Sequence, residues 1–269
     1  MTESRRLYWA EQMDAAVALV RAAATHPLAE SRERCGRLDE AAHDAGVELA
    51  FSDRPHANGG PRIWLLRESL ISGVLAAAET LAAERGWRLV IEDCFRTRVM
   101  QLQLALLPAV IDRVRERARW ELEGADPPRE LVVRRLAAVI AAAPNVGTHM
   151  SASAIDVSVI DRRTNALLDR GGPYLEISEV TPMGSPFVDD RQRAVREAVT
   201  EAMAEQGFVA YPYEFWHYNR GDVFEHHLHG DPAAAPYGPV DVDLDTGEVA
   251  PMADPTGVLN DPYTIADTA

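Results

Sequence analysis

Two short stretches of the sequence carry side chains that could bind a metal ion and transfer protons. The first, GTHMSASAID, contains His149 and ends at Asp156, with mostly small residues between them. The second, YPYEFWHYNRGD, contains Glu214 and His217 among aromatic residues. Two histidines and two carboxylates are the ligand inventory of a catalytic zinc site, which has three protein ligands and one open position for water. The spacing of His149 and Asp156 alone has low specificity, because many chains contain such a pair.

The strands and helices that must position these residues can be read from the hydrophobic pattern. The segment SAIDVSVI is predicted to be a strand in which Asp156 faces away from Ile155 and Val157, so that its carboxylate leaves the core side. A turn must then bring His149 back to it. Helices are predicted at 31–46, 71–86, 98–122, 129–142 and 189–206, and extended segments at 47–51, 62–66, 87–93 and 208–218. Pro108 is expected to split the third helix, and Asp189 to cap the last one.

The order of these elements predicts one large α+β domain with flanking segments. Strands and helices are mixed without the regular alternation of a doubly wound sheet. We expect residues 1–46 to be an N-terminal helical extension and 47–229 the catalytic domain. Residues 230–269 are rich in Pro, Gly and Asp and are expected to form loops or a short hairpin around DTG.

Composition and charge exclude several classes of partner. Lys and Arg total 27 against 42 Asp and Glu, which gives a formal net charge of -15. A field of that sign repels nucleic acids and anionic membranes, so neither is an expected partner. Cys35 and Cys94 are too few for a disulfide framework and are expected to be buried thiols. No export signal or membrane-spanning stretch is evident, which favours a cytoplasmic location. The oligomeric state is left open.

The two metal-binding stretches, together with two further segments, resemble a known family. THMSASAID and EFWH are similar to the paired signatures of zinc D-alanyl-D-alanine dipeptidases and carboxypeptidases, Ser-x-His-x-x-Gly-x-Ala-x-Asp and Glu-x-x-His. IEDCFRTR resembles the strand end that carries the catalytic arginine of the dipeptidases, which gives Arg96. PMGSPFVDD resembles their Met-Gly-Thr-Pro-Phe-Asp segment. The four blocks follow the order of the family and cover roughly residues 47 to 222.

The resemblance implies a fold and a set of roles. The fold would be that of hedgehog-type and D,D-peptidase domains, with a small antiparallel sheet that carries the zinc and helices packed on it. One Zn²⁺ per chain would be bound by His149, Asp156 and His217 and would activate a water molecule. Glu214 would accept the proton of that water and return it to the leaving amine. Arg96 would stabilise the oxyanion.

Several positions depart from the family pattern. Gly147 replaces the first serine, Ala152 replaces the glycine, and Thr97 replaces the proline that usually follows the arginine. Pro182 stands where the dipeptidase branch usually has an acidic residue before Met-Gly. The turn before the strand is therefore altered, and the group that would hold a substrate ammonium is missing from its usual place.

Three residues near Pro182 are candidates for substrate binding. Glu176 or Glu179 could pair with the ammonium group of a substrate, because burying that charge unpaired is costly. Phe187 could form an apolar wall in a rim at residues 181–190, stiffened by prolines. Such a rim would favour short, unblocked peptides over long ones.

Other motifs have simpler explanations. Arg98 is the alternative to Arg96 as the arginine that stabilises the oxyanion. The run EHHLHGD contains His226, His227 and His229, which could bind a metal by composition, but we expect a solvated loop. DVDLDTGE imitates the start of a calcium loop, yet Thr246 stands where that loop requires glycine.

The sequence therefore predicts a cytoplasmic zinc metallopeptidase that hydrolyses D-alanyl-D-alanine or a related small dipeptide. The alternative enzyme is a D,D- or L,D-carboxypeptidase or endopeptidase on longer peptidoglycan peptides of the cell wall. The alternative of another class is a non-catalytic binding protein in which zinc is structural or sensory, and the retention of Glu214 argues against it.

Overall fold

The structure is a computed structural model that describes residues 2–56 and 59–267. Its α-helices are α1 Thr2–Ala23, α2 Leu38–Ala45, α3 Glu68–Arg85, α4 Arg98–Ala105, α5 Pro108–Glu121, α6 Arg129–Val139, α7 Asp190–Ala204, α8 Val223–His229 and α9 Pro262–Asp267. Its strands are β1 Cys35–Arg37, β2 Ala50–Phe51, β3 Leu65–Arg67, β4 Trp87–Asp93, β5 Ala154–Asp161, β6 Val209–Ala210, β7 His217–Asn219, β8 Val240–Val242 and β9 Val249–Pro251. Short 3-10 helices cover Pro144–Val146 and Thr148–Ser151.

A five-stranded sheet in the order β2-β4-β5-β7-β6 forms the centre of the fold. All of its neighbouring strands are antiparallel except the edge pair β2–β4, which is parallel. The remaining strands form two antiparallel pairs, β1–β3 and the hairpin β8–β9. This mixture of helices with small, mainly antiparallel sheets confirms the predicted α+β class. Within the described part of the chain, the edge pair β2–β4 is the one parallel pairing in this sheet.

The main core lies between one face of this sheet and the helices α3 and α7. Ile155, Val157 and Val159 of β5 alternate along the strand and are fully buried in that core. Helix α3 packs against both α7 and β4. Because side chains alternate between the faces of a strand, Asp156 lies on the opposite face. One apolar face of β5 therefore fixes the direction of the carboxylate on the other.

Several predicted elements agree closely with the observed ones. Strand β4 has the predicted limits, and α3 ends at Gly86, which has the left-handed conformation of a helix C-cap. Pro108 begins α5 and so separates it from α4, because proline is tolerated in the first turn but not inside a helix. Asp189 caps α7 through a reciprocal capping box with Gln192.

Other segments differ from the predictions because tertiary pairing overrides local pattern. The helix predicted at 31–46 is restricted to α2, since Cys35–Arg37 pairs with β3 instead. The extended segment predicted at 208–218 is strand only at its ends, in β6 and β7. The histidine run at 225–231, expected as a solvated loop, mostly belongs to helix α8. Asp222 caps that helix by accepting the amides of Phe224 and Glu225.

The segments outside the sheet pack against the body of the protein. Helix α1 contacts α5, α6 and α8. The hairpin predicted around DTG is observed as β8–β9. The domain boundaries at residues 46 and 229 stay predictions. Residues on both sides of each boundary take part in the same packing contacts. Among the described residues, no helix has the length and apolar composition of a membrane-spanning segment.

Arg67, at the end of β3, joins four separate parts of the chain. Its side chain is fully buried. The guanidinium donates hydrogen bonds to the carbonyls of Ser151 at 2.7 Å, Glu33 at 2.7 Å and Gly238 at 3.1 Å. It also forms an ion pair with Glu30 at 3.0 Å. A buried charge requires such pairing, so Arg67 ties both flanking segments to the 3-10 helix before β5.

We expect Arg67→Met to lower the free energy of unfolding by about 3–5 kcal/mol, because it removes the buried guanidinium from its ion pair with Glu30 and from three carbonyls. Arg67→Lys should recover only part of this, since an ammonium cannot reproduce the forked geometry of a guanidinium. Urea denaturation measures the change. Arg98→Met, at an exposed position of α4, is the control and should stay within about 0.5 kcal/mol of the parent. A loss below about 1 kcal/mol for Arg67→Met would contradict this assignment.

Candidate metal centre

Three residues that the sequence suggested as metal ligands are brought together by strand pairing. His149 lies in the 3-10 helix Thr148–Ser151, directly before β5. Asp156 lies in β5 and is paired in register with His217, the first residue of β7. Paired residues of antiparallel strands project to the same face of the sheet, so the carboxylate and the imidazole meet there.

The three side chains form a compact and buried group. Asp156 Oδ1 lies 2.9 Å from His217 Nδ1 and 3.3 Å from His149 Nε2. The two imidazole rings are 4.9 Å apart between centroids and meet edge to face. One possible ligand atom from each residue lies within 4.8 Å of the others. Within residues 2–56 and 59–267, this is the only group of three or more such residues that meets this distance.

Hydrogen bonds to the outer ring nitrogens select the nitrogen of each histidine that faces the group. His149 Nδ1 contacts the carbonyl oxygen of Cys94 and must donate to it. His149 Nε2 is buried and makes no hydrogen bond. His217 Nε2 lies 3.0 Å from Asn219 Oδ1 and 3.3 Å from Thr148 Oγ1, which leaves Nδ1 directed at the carboxylate. Such outer partners are typical of metal-binding histidines. The Nε2 atom of His149, which makes no hydrogen bond, fits a metal ligand.

The second oxygen of Asp156 is held by two other residues. Oδ2 accepts a hydrogen bond from the Tyr174 hydroxyl at 2.7 Å and one from Arg96 at 3.3 Å. Burial alone would raise the pKa of Asp156. The charges of His149 and His217 and the hydrogen bond from His217 outweigh burial, so the pKa of Asp156 lies well below its usual value. Asp156 is therefore ionised, and its Oδ1 is a negatively charged candidate ligand atom for a metal ion.

Arg96 occupies the end of a buried ion-pair chain beside the group. Its Nε donates to Asp93 Oδ2 at 2.8 Å, and Arg62 pairs with the same oxygen at 2.8 Å. Burial would lower the pKa of Arg96, but the charge of Asp93, with Tyr174 and Asp156, raises it above its usual value. The guanidinium is thus a fixed positive charge next to Asp156.

Glu214 lies at the edge of the same group and is the least buried of its carboxylates. Its Oε2 is 3.8 Å from His217 Nδ1, and 30% of its side chain is exposed. Burial raises the pKa of Glu214 and the charge of Asp156 adds to the rise, while His217 and Arg96 oppose it. A carboxylate whose pKa is raised toward neutrality suits proton transfer better than an ordinary one.

Two adjoining cavities open onto these residues. The smaller, of about 130 Å³, is lined by the His–Asp–His group together with Arg96, Glu214 and Trp216. The larger, of about 390 Å³, shares Arg96, Glu214 and Trp216 with it. Arg98 is exposed and lines neither cavity. The structure therefore places Arg96, and not Arg98, beside the predicted metal ligands.

Of the three residues predicted to bind substrate, one lines a cavity. Glu176 lines the larger cavity and accepts a long hydrogen bond of 3.4 Å from Arg113. Glu179 and Phe187 line neither of the two cavities. Both residues contact helix α1.

Helix α1 is held against the loop before α7 by Glu179 and Phe187. Glu179 forms ion pairs with Arg5 of α1 at 2.8 Å and with Arg117 of α5 at 2.5 Å. The ring of Phe187 meets Tyr8 of α1 edge to face at 5.4 Å and lies under the Arg5 guanidinium. Their observed contacts therefore join helices, where the sequence suggested an apolar rim and an ammonium partner.

The turn that returns His149 to β5 keeps the geometry that glycine favours. Ala152 has φ 53° and ψ 31°, which is the left-handed region. A residue with a Cβ atom is less stable there by roughly 1–2 kcal/mol. With alanine in place of the family's glycine, the turn keeps its conformation but is less stable.

The other two motifs have local roles. On α8, His229 Nδ1 lies 2.8 Å from Glu225, and His226 lies between Glu225 and Asp231. These side chains form no three-ligand group within the part of the chain that the structure describes. In DVDLDTGE, the Asp243 carboxylate accepts the amides of Asp245 and Thr246 and closes the β8–β9 turn.

Sequence reasoning missed the residues that orient the predicted ligands. Asn219 lies two residues after His217 on the same strand face, so the alternation of β7 could have indicated it. Asp93 ends β4 and is paired in register with Asp156, within a segment already singled out for Arg96. Tyr174 lies in a loop without periodicity, and no local signal marks it.

The fold and the buried ligand group are those expected of a metallopeptidase. A comparison with models of known protein families matches residues 51–231 to the family described as D-Ala-D-Ala dipeptidase. The match covers more than half of the chain, and the chain belongs to this family of metal-dependent peptidases. A search of curated proteins found no match.

We expect the purified protein to hold about one zinc ion per chain, and His217→Ala to lower its zinc affinity by at least 100-fold. The substitution removes one of three ligands from a site that needs three. Metal analysis and competition with a chelator measure the effect. His227→Ala, on α8, is the control and should retain the metal. Unchanged zinc content in His217→Ala would place the metal elsewhere.

Proposed function

We propose that this protein uses zinc to hydrolyse D-alanyl-D-alanine or a related small, unblocked dipeptide. The observation that carries the proposal is the position of Glu214. This carboxylate lies beside a buried His–Asp–His group and lines both cavities. A purely structural metal site is closed by four protein ligands. A group of three ligands with a further carboxylate beside it, facing a cavity, is instead typical of a catalytic site.

Each part of the reaction has a candidate side chain. Zinc, when bound by His149, Asp156 and His217, would lower the pKa of a water ligand toward about 7 and polarise the peptide carbonyl. Glu214 accepts the proton of the attacking water and later donates it to the leaving amine. Its raised pKa suits both directions of transfer.

Arg96 supplies positive charge where the carbonyl oxygen becomes negative. Its guanidinium is oriented by Asp93 and Gln101 before any substrate arrives. A preorganised charge stabilises an oxyanion without the cost of reorientation. Because the same guanidinium contacts Asp156, it also helps to orient that ligand. Arg96 therefore combines a proposed catalytic role with an observed positioning contact.

Glu176 is our candidate for the ammonium group of the dipeptide. It lines the larger cavity, and its single ion-pair contact, with Arg113, is long. A cationic substrate group could therefore compete for its carboxylate. Pairing of this kind would select a free amine over an acylated one, because a blocked amine leaves the carboxylate without its partner.

Two alternatives are distinguished by substrate assays. A carboxypeptidase or endopeptidase on longer peptidoglycan peptides would cleave acylated peptides as fast as free dipeptides. A zinc-containing binding protein would cleave neither. The proposal also includes a cytoplasmic location. It includes no nucleic acid or membrane partner, because the net charge of -15 repels polyanions and anionic membranes.

We expect Glu214→Ala to retain zinc and the fold but to lower turnover of D-Ala-D-Ala by about 100- to 10,000-fold, because proton transfer is lost while the ligands remain. Steady-state kinetics and metal analysis of the same sample test this. Glu205→Ala, at an exposed position after α7, serves as the control. Activity within a few-fold of the parent would rule out Glu214 as the general base.

We expect Arg96→Ala to lower kcat by about 100- to 1,000-fold, which is typical for loss of an oxyanion donor. Arg98→Ala should be nearly silent, since that side chain is exposed and lines neither cavity. Zinc content and melting temperature separate a catalytic loss from a structural one. The reverse pattern of activities would move the oxyanion role to Arg98.

A further inference from the structure

The larger cavity is too roomy and too apolar for a dipeptide of two alanines. Its volume of about 390 Å³ falls in the range of pockets for drug-sized ligands, roughly 300–1,000 Å³. It adjoins the metal centre through Arg96, Glu214 and Trp216. A substrate held at the predicted metal ligands can therefore extend a side chain into this space.

The lining of this cavity is chemically suited to hydrocarbon. Apolar side chains come from helices α1, α4 and α5, from the residue after α6 and from a loop: Trp9, Met13, Leu104, Val110, Ile140 and Leu175. Among the charged side chains of the lining, Arg62 and Arg96 are paired with Asp93, and Glu176 is the proposed partner of the substrate ammonium. A polar group buried among these apolar walls would lack partners, so an apolar one is favoured.

An extended peptide fits this cavity less well than one large side chain. Each added peptide unit brings a backbone donor and an acceptor that must be paired when they are buried. The apolar walls from α1, α5 and α6 offer few such partners. A hydrocarbon side chain makes no such demand and gains from leaving water.

Helix α1 supplies part of this wall from outside the region that matches the family. Trp9 and Met13 are buried and line the larger cavity, whereas the match begins at residue 51. The ring of Trp9 is also covered by the Arg117 guanidinium at 5.0 Å. Together with the contacts of Glu179 and Phe187 described above, this fixes α1 over the cavity.

From these observations we infer that the preferred substrate is a small dipeptide in which one residue carries a large apolar side chain, seated against Trp9 and Met13. The inference rests on the proposed function and narrows its substrate class. In a hydrophobic pocket, one methylene changes kcat/KM by roughly 10- to 200-fold. A leucine- or phenylalanine-sized group should therefore be preferred to alanine by at least about tenfold.

The zinc-loaded protein is tested with D-Ala-D-Ala, D-Ala-D-Leu, D-Leu-D-Ala, D-Ala-D-Phe and D-Phe-D-Ala. We expect kcat/KM for at least one of the four larger dipeptides to exceed that for D-Ala-D-Ala by tenfold or more, with no gain for N-acetylated or longer peptides. Trp9→Ala should lower this preference at least tenfold. Trp120→Ala is the matched control, because Trp120 also stacks on Arg117, at 3.9 Å, but lines neither cavity.

A binding experiment keeps the inference testable if turnover is absent or if Trp9→Ala is unstable. Calorimetry on zinc-loaded Glu214→Gln should show at least tenfold tighter binding of the preferred larger dipeptide than of D-Ala-D-Ala. Equal or weaker binding overturns the inference, as does a kinetic preference for D-Ala-D-Ala. If the larger dipeptide binds tighter but no peptide is hydrolysed, the proposed function fails, and the preference of the cavity for a large apolar side chain stands as a binding property. Faster cleavage of acylated or longer peptides would instead show that the cavity holds additional residues.

Discussion

The carboxylate of Asp156 lies 1% exposed in the central strand β5, and it can remain ionised there only if both of its oxygens are fully paired. Oδ1 faces His149 and His217, and Oδ2 faces Tyr174 and Arg96. This requirement organises the elements around it. The strand register, the turn before β5 and the loop that carries Tyr174 all converge on one buried charge, which explains why the ligand group is already assembled.

The sequence was sufficient where local chemistry decides the structure. The capping box of Asp189, the break at Pro108 and the alternation along β5 are set by neighbouring residues and were predicted. The ligand group was predicted from the resemblance to the family and not from local chemistry, because Asp156 and His217 meet only through the pairing of β5 with β7. The predicted grouping of these ligands agrees with the observed distances. Their roles in catalysis remain predictions, and family membership supports the class of reaction without specifying the substrate.

The sequence was insufficient where distant segments decide the structure. Tyr174 reaches Asp156 from a loop, and Arg67 joins segments that are 171 residues apart. Glu179 and Phe187 illustrate the same point: a carboxylate and an aromatic ring close to the expected substrate region contact α1 instead. Composition gives a side chain its possible partners, and only the packing of whole helices determines which of them it meets.

Helix α1 forms part of the cavity walls but carries none of the proposed catalytic residues. It contributes Trp9, Met13 and Val20 to the two cavity walls, while the predicted metal ligands, Glu214 and Arg96 come from other elements. Substitutions in α1 therefore change the shape of the cavities without moving the predicted metal ligands, Glu214 or Arg96.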